Sequence, residues 1–108
     1  MIPLIESRRT DIAALCGRFG VRSLDVFGSA ADGSFDSVCS DIDFLVHFNE
    51  EDAGSLFHRY FGLREPLEQL FDRKIDLVSA STLSNPYFID AVNQSRQSVY
   101  ASARAQVA

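Results

Sequence analysis

The segment Asp41–Phe48 constrains the fold of this chain most strongly, because it carries the clearest hydrophobic alternation in the sequence. Apolar side chains recur at every second position, which is the period of a β-strand with one buried face. The alternation places Ile42, Phe44, Val46 and Phe48 on one face, and Asp41, Asp43, Leu45 and His47 on the other. We therefore predict a strand over this segment that packs its apolar face against a core.

The hydrophobic period switches several times between helical and extended along the rest of the chain. Helices are predicted over Ile12–Phe19, Ala53–Phe71 and Tyr87–Ser95, with a short helical turn over Ser29–Asp32. Strands are predicted over Ser23–Phe27 and Lys74–Ser79, with a short edge strand over Ser98–Tyr100. This order indicates an α/β (α+β) fold, in which helices cover a small mixed β-sheet of three to four strands.

The hydrophobic pattern does not determine the strand directions, but the lengths of the connections show which directions are allowed. The link from Ser29 to Asp41 is short enough to join an antiparallel pair, whereas the crossover from Phe48 to Lys74 contains a helix and suits a parallel pair. Within that crossover, Pro66 is expected to kink the helix or to begin a second one. We expect the aromatic residues of the crossover in the core, or partly exposed for a partner: Phe57, Tyr60, Phe61 and Phe71.

Composition indicates a globular domain and limits the classes of partner that it can bind. With 108 residues, 46% of them hydrophobic, the chain suits a single domain over residues 1–108. No apolar run approaches the roughly 20 residues that cross a bilayer, and the first residues lack the pattern of a signal peptide. We therefore expect a cytoplasmic protein without membrane contact. The net charge of −5 disfavours direct nucleic-acid binding and suits metal cations or a basic partner.

Two aspartates at the start of the Asp41–Phe48 strand call for a chemical explanation, because Asp is disfavoured in strands. Asp41 and Asp43 point to one face, with Cα atoms about 6.5 Å apart. Held this close, their charges repel each other unless a cation or a proton intervenes. Carboxylate oxygens are the ligands that Mg²⁺ prefers, and Mg²⁺ leaves room for phosphate oxygens. A solvated strand end remains the simpler reading of this pair taken alone.

Two further features fall at neighbouring strand ends. Asp76 supplies a third carboxylate within an apolar strand, where it could ligate a second metal, act as a general base, or simply pair with Arg73 or Lys74. Gly28 and Ser29 follow the Ser23–Phe27 strand, where a glycine permits close backbone approach and a helix start offers N–H groups to phosphate. Together these residues suit phosphoryl or nucleotidyl transfer, which depends on positioning and charge neutralisation.

At these residues the sequence resembles the minimal nucleotidyltransferase (MNT) family of the DNA polymerase β-like superfamily. The resemblance runs from Val26–Ser29 through Ser40–Val46 and continues in Arg73–Val78. With a weaker similarity through the last helix to Val99 and Tyr100, it covers most of the chain. It implies a mixed sheet that binds ATP or another nucleoside triphosphate with Mg²⁺ or Mn²⁺. By the resemblance, Asp41, Asp43 and Asp76 are the catalytic metal-binding carboxylates, and Gly28 and Ser29 form the phosphate-binding turn.

The resemblance also implies a biological role. Free-standing MNT proteins typically act as antitoxins beside a HEPN-domain ribonuclease, and some add AMP to a tyrosine of that toxin. We therefore expect a HEPN toxin as the protein partner, while a homo-oligomer stays open. Nucleotide transfer to a small molecule such as an aminoglycoside is less favoured, because enzymes of that kind usually carry an added substrate domain.

Two departures from the family pattern motivate a second hypothesis. Asp32 stands where the family commonly has an arginine, and the loop between Ser29 and Asp41 is one residue longer than usual, at eleven residues. An anion thus replaces a cation near the expected phosphates. The alternative is therefore a catalytically weak or inactive antitoxin that neutralises its toxin by binding alone.

Overall fold

The computed structural model describes residues 3–28, 41–49, 56–80 and 83–102, and every structural statement below concerns these ranges. The helices are α1 (Pro3–Glu6), α2 (Arg9–Arg18), α3 (Leu56–Phe71) and α4 (Pro86–Ser95). The strands are β1 (Val21–Phe27), β2 (Ile42–Phe48), β3 (Ile75–Ser79) and β4 (Gln97–Ala101). The predicted α/β class is confirmed, and the three expected long helices and four strands all occur with shifted ends.

The four strands form one mixed sheet in the order β3-β2-β1-β4. Strands β1 and β2 are antiparallel, β2 and β3 are parallel, and β4 joins the free edge of β1 antiparallel. The predicted mixed sheet is confirmed. The helical crossover joins the parallel pair, which its length allows.

The two faces of the sheet differ in how they are covered. The apolar face of β2 is buried as predicted, with Ile42, Phe44 and Val46 at 0% exposure. Residues from α1, α2 and α3 pack against it and form the main core: Ile5, Ile12, Cys16, Leu63, Leu67 and Phe71. On the opposite face only a small cluster of Phe27, Leu45 and Val92 is buried, and Val92 comes from α4.

Helix α4 begins where the sequence predicts, at an Asn-Pro pair. The Asn85 side chain accepts hydrogen bonds from the backbone N–H groups of Tyr87 and Phe88, which satisfies two donors of the first turn. Pro86 occupies the first helical position, where its missing N–H costs nothing.

Helix α3 departs from the sequence-based expectation, because it runs through Pro66 as one helix rather than restarting there. Leu63 and Leu67 flank the proline and are both fully buried. Their shared burial in one core stabilises a continuous helix despite the hydrogen bond that proline removes. Of the two alternatives for Pro66, the second helix is therefore wrong, and a kink at Pro66 stays a prediction.

The aromatic residues of α3 divide between core and surface. Phe71 is 4% exposed, whereas Phe57 and Phe61 are 66% and 45% exposed. The two residues are four positions apart, so they lie on the same side of the helix, and both fall under the exposed alternative that the sequence left open. None of the helices within the described ranges has the length and hydropathy of a bilayer-spanning segment.

Candidate active site

Two of the three predicted carboxylates lie side by side on the less covered face of the sheet. Asp43 on β2 pairs directly with Asp76 on β3, and Phe27 on β1 pairs with Asp43 from the other side. Directly paired residues point to the same face. Phe27, Asp43 and Asp76 thus form a row across three strands. The row lies at the C-terminal end of β1 and at the start of β2.

The Asp43 carboxyl is strongly perturbed by this setting. Its pKa is raised from 3.8 to about 6. Burial is the largest cause, followed by the neighbouring charge of Asp76, a hydrogen bond to Asp76 and the charge of Asp41. The protonated Asp43 carboxyl donates to the Asp76 carboxylate, so the pair shares a proton near pH 6. Two oxygen ligands that repel each other in the absence of a proton fit a divalent cation well.

Asp41 is the outlying member of the predicted triad. It is exposed and directly precedes β2, and its charge is the smallest of the influences on Asp43. In the described part of the chain, no three His, Cys, Asp or Glu side chains are gathered into a ready-made metal site. The structure therefore brings Asp43 and Asp76 together and leaves Asp41 at the margin of the pair.

Asp76 has a carboxylate as a neighbour, because it shares a hydrogen bond with Asp43, and its side chain is exposed. Ion pairs within the described ranges join Arg8 to Asp11, Arg9 to Glu6, Arg64 to Glu68 and Arg96 to Asp25. An ion pair of Asp76 with Arg73 or Lys74 stays a prediction.

Gly28 adjoins Asp43 at the end of β1, in a conformation that suits glycine. Its φ is +71°, and a Cβ added there would lie 2.6 Å from Oδ2 of Asp43. Both the dihedral and the contact disfavour a side chain, since L-residues rarely adopt this φ and the Asp43 carboxyl would have to shift to admit a Cβ. The turn backbone therefore lies directly against the carboxylate. Ser29 and Asp32, and with them the predicted helical turn over Ser29–Asp32, lie outside the described residues.

One residue of this site carries no signal in the sequence. Ser95, the last residue of α4, accepts a hydrogen bond from the backbone N–H of Gly28 at 3.0 Å. The two residues are separated by 67 positions in the chain. A serine at the end of an amphipathic helix is unremarkable by itself, and only the packing of α4 on β1 brings it to the turn.

Comparison with known proteins gives these features a context. Residues 11–99 match the profile of the nucleotidyltransferase domain family. A candidate protein adenylyltransferase of Methanocaldococcus jannaschii is 35% identical over 77 residues, which cover 71% of this chain and 75% of that protein. The protein adenylyltransferase MntA of Thermococcus cleftensis is 43% identical over 68 residues, covering 63% and 65%.

Solved structures share the same architecture. A candidate minimal nucleotidyltransferase superposes with a TM-score of 0.70 at 32% identity, over 85% of this chain and 89% of that one. An MNT antitoxin in complex with a tri-AMPylated HEPN toxin of Shewanella oneidensis superposes with a TM-score of 0.64 at 17% identity, over 95% and 77%. The second likeness concerns the fold alone.

Proposed function

Since this chain belongs to the nucleotidyltransferase domain family, we propose that it transfers AMP from ATP to a hydroxyl group of a partner HEPN toxin and thereby acts as an antitoxin. The observation that carries the proposal is the Asp43–Asp76 carboxylate pair beside Gly28. Relatives named as protein adenylyltransferases support the reaction, and the HEPN–MNT complex of similar fold supports the partner. We expect the reaction in the cytoplasm, where ATP and Mg²⁺ are available.

In this proposal the carboxylates hold the divalent cations that accompany the nucleotide. Asp43 and Asp76 supply adjacent oxygen ligands, and Asp41 approaches from the start of β2. Mg²⁺ or Mn²⁺ bound there would neutralise the triphosphate and stabilise the attacking and leaving oxygens. Gly28 lets the turn backbone come close to the phosphates, and Ser29 adds a hydroxyl group.

The proposed transfer needs one proton acceptor. The acceptor hydroxyl loses its proton to a carboxylate, its oxygen forms a bond to the α-phosphorus, and the bond to pyrophosphate breaks. Asp76 is the more exposed member of the pair and could take this proton, or it could serve only as a metal ligand. Both roles require the deprotonated pair, which predominates above the Asp43 pKa of about 6.

The test is transfer of label from α-labelled ATP to the product of the neighbouring gene, with Mg²⁺ present. We expect the Asp41→Asn/Asp43→Asn double variant to lose at least about 100-fold in rate, since the positioned charge is removed. Asp25→Asn is the matched control, because Asp25 lies on β1 and pairs with Leu45 on the same face. Equal labelling by the double variant and the wild type contradicts the proposal.

Binding without chemistry is the second candidate, favoured by Asp32 in place of the family arginine and by exposed aromatic side chains. Tyr87 is 84% exposed. The ring centroids of Phe57 and Phe61, both on α3, lie 4.7 Å apart. Such surfaces are typical of protein contact. If the Asp41→Asn/Asp43→Asn variant still protects cells from the toxin, contact suffices. If it binds the toxin but does not protect, this candidate fails.

A further inference from the structure

The turn at Gly28 is held on two sides, and the second side belongs to the last helix of the fold. On one side the Gly28 backbone lies against the Asp43 carboxylate, with 2.6 Å between Oδ2 and the site of an absent Cβ. On the other side the Gly28 N–H donates to Ser95 Oγ at 3.0 Å in a partly buried position. The orientation of this turn is therefore set by both contacts together.

Ser95 is itself fixed by the packing of α4. Val92, one turn earlier on the same side of the helix, is 2% exposed and packs with Phe27 and Leu45. Phe88 meets the Phe27 ring edge-on, with centroids 6.0 Å apart. Through these contacts α4 packs against Phe27, which belongs to the row with Asp43 and Asp76, and against Leu45 on the same strand as Asp43. The Ser95 hydroxyl is thus presented to the turn from a rigid support rather than from a loop.

The hydrogen bond also changes how the turn can meet a nucleotide. In this arrangement the Gly28 N–H is already satisfied by Ser95, so Gly28 contributes its lack of a side chain rather than a free donor. A turn held in one orientation loses less conformational freedom when a triphosphate binds. Loss of the hydrogen bond would leave Gly28, with its positive φ, without one of the two described contacts that hold it and dependent on the Asp43 carboxylate.

We propose that Ser95 is a positioning residue for the nucleotide, which acts by fixing the Gly28 turn against Asp43. The inference rests on the proposed nucleotidyl transfer, and it assigns to α4 a part in that site. In this proposal Ser95 contacts neither the phosphates nor the metal. It raises the affinity for the nucleotide indirectly, because it holds the backbone of the Gly28 turn in place.

The experiment compares Ser95→Ala with Ser95→Thr, which keeps a hydroxyl group, and with Asn93→Ala, an exposed position on the same helix. Binding of a non-hydrolysable ATP analogue with Mg²⁺ is measured by calorimetry, well below the melting temperature of each variant. Exchange of the Gly28 amide proton is followed by NMR. We expect Ser95→Ala to weaken binding about 3- to 10-fold, as the loss of one hydrogen bond implies, and to speed Gly28 exchange. Ser95→Thr and Asn93→Ala should remain within about twofold of the wild type.

The outcomes separate the possible failures. If Ser95→Ala lowers the melting temperature but binds the analogue as the wild type does, the role is structural and the inference is overturned. If Asn93→Ala weakens binding as much as Ser95→Ala, the effect belongs to the helix in general and the inference also falls. A wild-type chain that binds no triphosphate overturns the proposed function, whereas wild-type binding with an indifferent Ser95→Ala overturns the role of Ser95 alone.

Discussion

The two faces of the sheet differ in both burial and charge, and the difference separates what folds this protein from what it does. One face is covered by α1, α2 and α3, and the strand side chains there are apolar and buried. The other is covered in part by α4, and it carries Asp43 and Asp76 next to a small cluster of buried residues. Strand alternation allows this division, because successive side chains of one strand serve opposite faces.

The largest effect expected from this contrast comes from truncating the same residue type on each face. Leu24 on β1 is fully buried in the main core, and Leu45 on β2 is 6% exposed in the small cluster. We expect Leu24→Ala to lower the free energy of unfolding by about 4 kcal/mol and Leu45→Ala by about 2 kcal/mol. Urea denaturation measures both. Equal losses would show that the two faces contribute alike.

A smaller effect is expected from adding one methyl group at two glycines. Gly28→Ala should lower the free energy of unfolding by about 1–2 kcal/mol, because its φ is +71° and the new Cβ meets Asp43. Gly17→Ala on α2 is the control, since nothing lies within 4 Å of the added Cβ; we expect a gain of about 0.5–1 kcal/mol.

A double-mutant cycle separates the two causes at Gly28. Combining Gly28→Ala with Asp43→Ala removes the contact with the carboxylate but leaves the unfavourable φ. Part of the loss should therefore be recovered. If the double variant is no more stable than the sum of the single changes predicts, the turn and Asp43 are not in contact.

The smallest effect is a pH dependence confined to the charged face. The pKa of Asp43 is raised in the folded state, so the protonated form stabilises the fold. This contribution is complete below the unfolded pKa of 3.8 and is lost as pH rises through about 6. The shift corresponds to at most about 3 kcal/mol, which solvent screening of this partly exposed group reduces to about 1 kcal/mol.

The measurement is chemical denaturation between pH 4 and 8 in the absence of metal. Wild-type stability should fall over this range, Asp43→Asn should flatten the decline, and Mg²⁺ at pH 8 should restore part of the loss in the wild type alone. A wild-type profile parallel to that of Asp43→Asn would contradict the arrangement of the two carboxylates.

Much of the covered face could be predicted from the sequence, because it depends on local periodicity. The alternation in Asp41–Phe48 identified the apolar face of β2 correctly, whereas the connection lengths allowed the observed strand directions without determining them. The cap at Asn85 is equally local. The sequence left open whether α3 continues through Pro66, because the burial of Leu63 and Leu67 that favours one helix is not a local property.

The site was less accessible from sequence, because it is assembled from distant parts of the chain. Three aspartates at strand ends indicated a carboxylate cluster, but the pairing of Asp43 with Asp76 depends on the register of β2 and β3. Ser95 could not be found, since its role arises from the docking of α4. The sequence could not decide which aromatic residues of α3 are exposed, as Phe57 and Phe61 are, because a helical stripe does not reveal which side meets the sheet.

The alternation of β2 has a consequence for the evolution of such domains. The apolar residues of β2 that belong to the main core lie on the opposite side of the strand from Asp43. Substitution of Asp43 by a neutral residue removes a source of repulsion and leaves the core unchanged. A domain with this alternation can therefore lose a carboxylate of its site in a single step and keep a stable fold. A domain that acts by contact alone can then differ by one residue from a domain that acts by chemistry.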